Sequence, residues 1–255
     1  TFTATDDCGN SSSAIQTITV FDNVPPEATG ENEVVIDCAN YPDNNIYIEA
    51  TDDCGETSIT FVDTPVSGGC VQPYGMYRRA YTIVDECDNA SEFIQYIRLQ
   101  DNNEPELTIP ADYTVECDQE ITLDEATATD VCDSDVAITL ETEEVAGDCP
   151  NSYQIKRTFT AKDDCDNAVS LTQTITVVDT TAPELVIPAD YTAECNDAHP
   201  LEEATATDNC GEVNLVLEAD TVLGACAQSY VVTRTFTATD DCGNSTSATQ
   251  TITIQ

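Results

Sequence analysis

Two side-chain chemistries dominate this 255-residue chain: thirteen cysteines, and 49 acidic residues set against seven basic ones and a single histidine. Paired thiols form disulfides or bind zinc, and grouped carboxylates hold hard cations or perform acid–base catalysis. Spacing decides among these. No Cys-x-x-Cys pair occurs, and one histidine cannot complete repeated zinc sites. The cysteines therefore read as disulfide partners in an oxidising space outside the cytoplasm. Acid pairs recur in copy after copy, whereas an active site is singular. His199 stands beside Pro200 with no nucleophile in a recognisable arrangement. We expect no enzyme and no required cofactor. A net charge of −42 excludes nucleic acid, whose phosphates need Lys and Arg, and equally an anionic membrane face. No apolar run has membrane-spanning length, so direct insertion is not expected.

The cysteines also give the period. Cys8, Cys87, Cys165 and Cys242 each sit in one recurring stretch: TFTATDDCGNSSSAIQTITV (1–20), AYTIVDECDNASEFIQYIRL (80–99), TFTAKDDCDNAVSLTQTITV (158–177) and TFTATDDCGNSTSATQTITI (235–254). Ahead of the last three stand further triplets, Cys38/Cys54/Cys70, Cys117/Cys132/Cys149 and Cys195/Cys210/Cys226. Such self-similarity marks a repeat architecture. Pro-bearing junctions at 21–27, 100–106 and 178–184 divide the chain into a hairpin fragment, 1–22, and three repeats, 23–101, 102–179 and 180–255. Cys8 has no set-mates within the chain, so we expect the sequence to start one hairpin into a repeat. The junctions are short and stiffened by proline, which restricts how neighbours are held.

Period-two alternation of Thr, Val, Phe and Ala argues strands throughout; in the last hairpin Phe236 and Ala238 share one face, Thr235, Thr237 and Thr239 the other. The expected fold class is all-β: tandem, disulfide-stapled, immunoglobulin-like β-sandwich repeats stacked end to end. If the strands of a repeat run alternately up and down, the first and third cysteines lie at one pole and the second and fourth at the other. Pairing across poles would span about 20 Å, beyond disulfide reach. That predicts Cys38–Cys70, Cys54–Cys87, Cys117–Cys149, Cys132–Cys165, Cys195–Cys226 and Cys210–Cys242. Each closes a loop of about 32 residues, worth roughly 3–4 kcal/mol. An odd number of long strands brings the chain in at one pole and out at the other, which predicts a rod advancing about 35–40 Å per repeat.

The acids cluster where this topology converges. Asp52, Asp53, Asp85 and Glu86 flank the second and fourth cysteines of one repeat, Asp130, Asp163 and Asp164 those of the next, and Asp208, Asp240 and Asp241 those of the last. The incoming linkers add Asp22, Asp101 and Asp179. An oxygen-rich junction of this kind suits Ca²⁺; the plainer reading is acidic turns that face water. Arg79, Arg157 and Arg234 recur before the aromatic of the long strand, where pairing with carboxylates is expected. Tyr113 and Tyr191 read as packing anchors. Asn10, Asn89 and Asn244 match the glycosylation sequon at the hairpin tip. Internal isopeptide staples would need a lysine per repeat, and only Lys156 and Lys162 exist.

The combination of ATATDxCG, RTFTATDDCGN and TQTITVxDTTAPE resembles the HYR-like, immunoglobulin-like repeats of very large bacterial surface proteins, above all the arrays of gliding-motility adhesins exported by type IX secretion. The resemblance covers the whole chain. It implies a β-sandwich, a cell-surface location and a long adhesive stalk or filament. Expected partners are neighbouring repeats of the same chain, other filament subunits, surface glycans or the substratum. Repeat 23–101 departs most from the pattern, with VVIDC and GGCVQPYGMYRRAY. The alternative is an accessory carbohydrate- or protein-binding array on a secreted protein. The absence of Trp and the six Phe weigh against it.

Overall fold

A computed structural model describes residues 1–66, 68–71, 74–197 and 201–255; His199 and Pro200 lie outside them. The chain forms two compact units, one of Thr1–Asn103 with Val131–Ser134, the other of Glu104–Asp130 with Asp135–Gln255. The described residues are all-β apart from a single 3-10 turn at Cys38–Asn40. No helix among them is long and apolar enough to cross a membrane.

The first unit opens with the hairpin β1 (Phe2–Thr5) and β2 (Ser11–Ala14). Then come β3 (Glu27–Gly30), β4 (Glu33–Asp37), β5 (Ile48–Thr51), β6 (Thr57–Val66), β7 (Met76–Asp85) and β8 (Ala90–Gln100). The second unit carries the same six strands twice. They are β9 (Glu106–Thr108), β10 (Tyr113–Glu116), β11 (Thr127–Thr129), β12 (Ala137–Ala146), β13 (Tyr153–Lys162) and β14 (Ala168–Val178), then β15 (Glu184–Val186), β16 (Tyr191–Ala193), β17 (Thr205–Thr207), β18 (Val213–Leu223), β19 (Tyr230–Asp240) and β20 (Ser245–Ile254).

Each set makes a four-stranded sheet, β4-β8-β7-β6, β10-β14-β13-β12 or β16-β20-β19-β18, and a two-stranded one, β3-β5, β9-β11 or β15-β17. In every four-stranded sheet the short first strand runs parallel to the last and the other pairs are antiparallel. The strand directions expected from the sequence hold. The first strand of each small sheet, buried in what reads as a linker (PELTIP, PELVIP), was not legible, because three residues between prolines are too few to display alternation.

The core follows the period-two face. In repeat 102–179, Leu107, Phe159 and Ala161 form one buried cluster and Val115, Ile175 and Val177 another. Between them lie the buried Arg157 and Gln173, opposite each other across β13 and β14. The Arg157 Nη1 donates to Gln173 Oε1 at 2.9 Å and to the Asp124 carbonyl at 2.9 Å, and Gln173 Nε2 donates to the Ala111 carbonyl at 2.8 Å. Repeat 180–255 reproduces this with Arg234, Gln250, the Glu202 carbonyl and the Ala189 carbonyl. The guanidinium of Arg157 lies 4.9 Å from the ring centre of Phe159, and that of Arg234 lies 4.8 Å from Phe236.

Carboxylate pairing was the expectation for all three arginines; among the described residues it holds for Arg79, which grips Asp63 with Nε at 2.7 Å and Nη2 at 2.8 Å, and not for Arg157 or Arg234. The residue facing the arginine across the sheet is Asp63 there, but Thr142 and Ala219 in the other repeats. Buried guanidinium groups without a carboxylate opposite are satisfied by carbonyls instead. Tyr113 is an anchor, as expected: its side chain packs on the Val115 cluster and its hydroxyl donates to the Thr122 carbonyl at 2.8 Å. The outer face carries hydroxyl ladders such as Thr158–Thr172 and Thr237–Ser247, both at 2.9 Å.

Candidate metal centre and disulfide junction

The site begins with a turn. Between the last two strands of a repeat, Asp240 accepts at Oδ1 from the amides of Cys242 (2.8 Å) and Asn244 (2.9 Å), and at Oδ2 from Asn244 Nδ2 (2.9 Å). Asp85 and Asp6 are bonded in the same way to Cys87 and Asn89 and to Cys8 and Asn10. The residue after the cysteine has positive φ, Gly9 and Gly243 in two copies and Asp88 and Asp166 in the others. Asp and Asn tolerate this conformation better than other side chains, which explains why DDCGN and DDCDN are interchangeable. Asp240 also continues the inward face of Arg234, Phe236 and Ala238, so the turn holds it buried. By the same register Asp179 follows Gln173, Ile175 and Val177 on the buried face of β14 and its exit.

These registers bring the acids together. Asp179, Asp208 and Asp240 each offer a carboxylate oxygen within 4.8 Å of the others, and Asp22, Asp52 and Asp85 form the equivalent group in the first unit. Each triad takes one acid from the incoming linker, one from the loop of the second cysteine and one from the closing turn, as the sequence suggested. Asp53, Glu86, Asp164 and Asp241 are exposed and stand outside both triads. Asp101 belongs to the first unit, and Asp130 and Asp163 to the second; Asp101 and Asp163 are buried.

The second unit's triad has charge to spare. Both carboxylate oxygens of Asp179 and Oδ1 of Asp208 are buried without a hydrogen-bond partner. Burial, then the neighbouring Asp208 and Asp240, push the Asp179 carboxyl above its ordinary value. Burial acts upward on Asp240 too, but the hydrogen bonds from Asn244 and Cys242 hold it below the ordinary value. Buried carboxylates without donors are costly unless a cation takes their place. Three convergent hard oxygens fit a divalent cation of the Ca²⁺ type, whose remaining ligands would be carbonyls and water. Bound there, the ion would offset most of the triad's charge and tie linker to turn.

The asparagines of the sequons serve this geometry. Asn244 Nδ2 donates to the Asp179 carbonyl at 3.1 Å as well as to Asp240, and Asn89 Nδ2 donates to the Asp22 carbonyl at 3.4 Å as well as to Asp85. The nitrogen that would carry a glycan is a clasp on the linker, and Asn10 Nδ2 is likewise engaged by Asp6.

The disulfides correct the expected pairing. Cys117 joins Cys210, Cys149 joins Cys242, and Cys38 joins Cys132, with Cα–Cα separations of 5.9, 5.1 and 5.7 Å. Cys70 and Cys165 are also disulfide-bonded. None of Cys38–Cys70, Cys54–Cys87, Cys117–Cys149, Cys132–Cys165, Cys195–Cys226 or Cys210–Cys242 forms; Cys8, Cys54, Cys87, Cys195 and Cys226 are free and exposed. The pole assignment itself was sound. Cys117 and Cys149 both lie at the Val178 end of their sheet, beyond Glu116 and before Tyr153. Cys210 and Cys242 both lie at the Asp240 end of theirs. What the sequence reasoning left out is the neighbour. The linker is so short that one pole of repeat 102–179 abuts the facing pole of repeat 180–255, and each cysteine bonds across the seam. A Cβ on Gly211 would stand 2.6 Å from Asn151 Nδ2, which shows how closely the two loops approach. Glu116 adds a clasp, accepting from the amide of Thr180 at 3.1 Å and from its hydroxyl.

No protein-family model and no curated protein matches the chain. Among solved structures it is similar to a protocadherin gamma B4 extracellular domain, with TM-score 0.36 and 15% identity over 93% of this chain and 50% of that one. It is also similar to human cadherin-23 repeats EC21–23, with TM-score 0.36 and 14% identity over 90% and 100% of the two chains. Mouse cadherin-23 repeats EC22–24 give 0.34 and 15%, over 91% and 99%. The chain thus spans half the length of the protocadherin, and all three likenesses are loose.

Proposed function

We propose that this chain is a structural and adhesive repeat segment of an extracellular bacterial surface filament or stalk, its neighbouring repeats fastened by disulfides and by a divalent cation. The observation that carries the reading is the pair Cys117–Cys210 and Cys149–Cys242, set beside the Asp179, Asp208 and Asp240 carboxylates. A binding module acting alone gains nothing from two covalent ties to its neighbour. A series that transmits load along the chain does, because each tie closes a loop across the seam and resists peeling. Each closes 93 residues, worth about 4–5 kcal/mol in the chain-entropy model. The charge of −42 keeps such a segment solvated and clear of nonspecific contacts. The resemblance of RTFTATDDCGN and TQTITVxDTTAPE to gliding-adhesin repeats supports the cell surface as its place, and glycans, the substratum or other filament subunits as its partners.

Electron microscopy of the native assembly tests the reading. A thin beaded fibre with one bead per repeat is expected, and compact isolated particles would overturn it. Thermal melts in Ca²⁺ and in chelator test the cation separately. At a hundredfold excess over Kd, a bound ion stabilises by about 2.7 kcal/mol. An unchanged midpoint would remove the ion and leave the disulfide-linked segment standing.

A further inference from the structure

We propose that this chain carries tension through its disulfides rather than through its linkers, with strand β12 as an already extended strap between two of them. Cys132 takes the tie from Cys38, and Cys149 passes a tie on to Cys242. The shortest covalent path from end to end therefore follows 1–38, crosses to Cys132, follows 132–149, crosses to Cys242 and finishes along 242–255. Neither Pro-bearing linker, 100–106 or 178–184, lies on it. In repeat 102–179 the path takes β12 alone; β9, β10, β11, β13 and β14 stand outside it. A parallel path leaves Cys132 along 132–117 and reaches the same pole of repeat 180–255 through Cys117–Cys210.

The form of β12 suits a strap. It lies at the edge of its sheet, and all of its residues except Val145 are exposed. A strand so bare adds little to a core. It pairs with β13 over its whole length, from Ala137↔Lys162 to Ala146↔Tyr153, and so is held straight. Its ten residues already span about 33 Å of the roughly 60 Å to which 132–149 could be drawn out. Tension enters and leaves through the two ends of one strand, so no register pair with β13 has to slide. Loss of the fold around β12 would lengthen the path through this repeat by less than about 30 Å. Were each disulfide closed inside its own repeat, both linkers would lie on the path and the strands beside them would be loaded in turn.

The strap has its use only in a load-bearing segment, as proposed above. Its test is made on single chains, whereas the fibre is judged by microscopy of the native assembly, so either can fail without the other. The full chain, with the exposed thiols of Cys8, Cys54, Cys87, Cys195 and Cys226 alkylated, is stretched between handles at its two termini in optical tweezers.

Fully extended without reductant it should reach about 240 Å, against about 890 Å once reductant is added, a gain of nearly fourfold. Bonds closed within repeats would give about 560 Å instead. Cys149→Ser, with the released Cys242 thiol also alkylated, diverts the path through 132–117 and Cys210 and should lengthen it to about 350 Å. This reading is taken on the stretched chain and does not require the variant to keep its native stability. Protease sites placed in both linkers should be cut without losing the tether or changing its oxidised length. A tether lost on linker cleavage, a length near 560 or 890 Å without reductant, or an unchanged length in Cys149→Ser would each overturn the strap.

Discussion

With both carboxylate oxygens buried and Asp208 and Asp240 beside it, Asp179 keeps its proton to higher pH than an ordinary aspartate. A carboxyl whose folded value is raised favours the folded state below its unfolded value and loses that advantage as pH rises through the folded one. The metal-free protein should therefore melt lower as pH climbs out of the ordinary carboxylate range. Ca²⁺ should abolish the decline, because the cation replaces the proton. Melting midpoints against pH, with and without chelator, read this directly; parallel curves would mean that no cation binds. Asp179→Asn should raise the midpoint in chelator and erase the Ca²⁺ shift. Asn244→Ala removes the clasp on the Asp179 carbonyl and should cost about 1–3 kcal/mol. Intact-mass analysis after expression in a glycosylating host should find Asn244 and Asn89 bare. A glycan on either would mean that the closing turn opens.

At the scale of the element, the closing hairpin carries its Arg–Gln pair between two apolar clusters. Replacing Arg234 by Ala leaves the Gln250 amide oxygen and the Glu202 carbonyl buried without their donor and removes the contact with Phe236. A buried acceptor left without its donor costs about 1–3 kcal/mol, and urea unfolding should show at least a loss of that size. A change below about 1 kcal/mol would mean that water replaces the guanidinium. The hairpin was the most legible part of the chain, since alternation, turn residues and cysteine position all agree. The registers that end in Asp179 and Asp240 were legible as well, had the period-two face been followed past the last apolar residue. Glu116, Asn89 and Asn244 were not, because their role is to hold a linker some 64–67 residues away.

At the scale of the molecule, the covalent ties cross repeats. A protease site introduced at 180–183 should cut the polypeptide yet leave the two parts together on a non-reducing gel, held by Cys117–Cys210 and Cys149–Cys242. They should separate only when reductant is added. Parts that separate without reductant would restore pairing inside each repeat. Distance rules out bonds from pole to pole within a repeat, but it does not choose between partners at one pole: an isolated pole has only its own cysteines to offer, and an abutting neighbour adds others.

Residues 1–20 and 235–254 nearly share one sequence, and they separate what is local from what is tertiary. Both fold the same turn, with Asp6 and Asp240 holding their cysteine and asparagine amides at 2.8–2.9 Å. Yet Phe2 is 68% exposed where Phe236 is 2%, and Ile18 is 76% exposed where Ile252 is 2%. Turn, strand period and cysteine pole were determined by the sequence alone, because each depends on bonds within a few residues. Burial, cysteine partner and the meeting of three acids were decided by the tertiary structure. Each of these needs a second surface, and only folding brings that surface within reach.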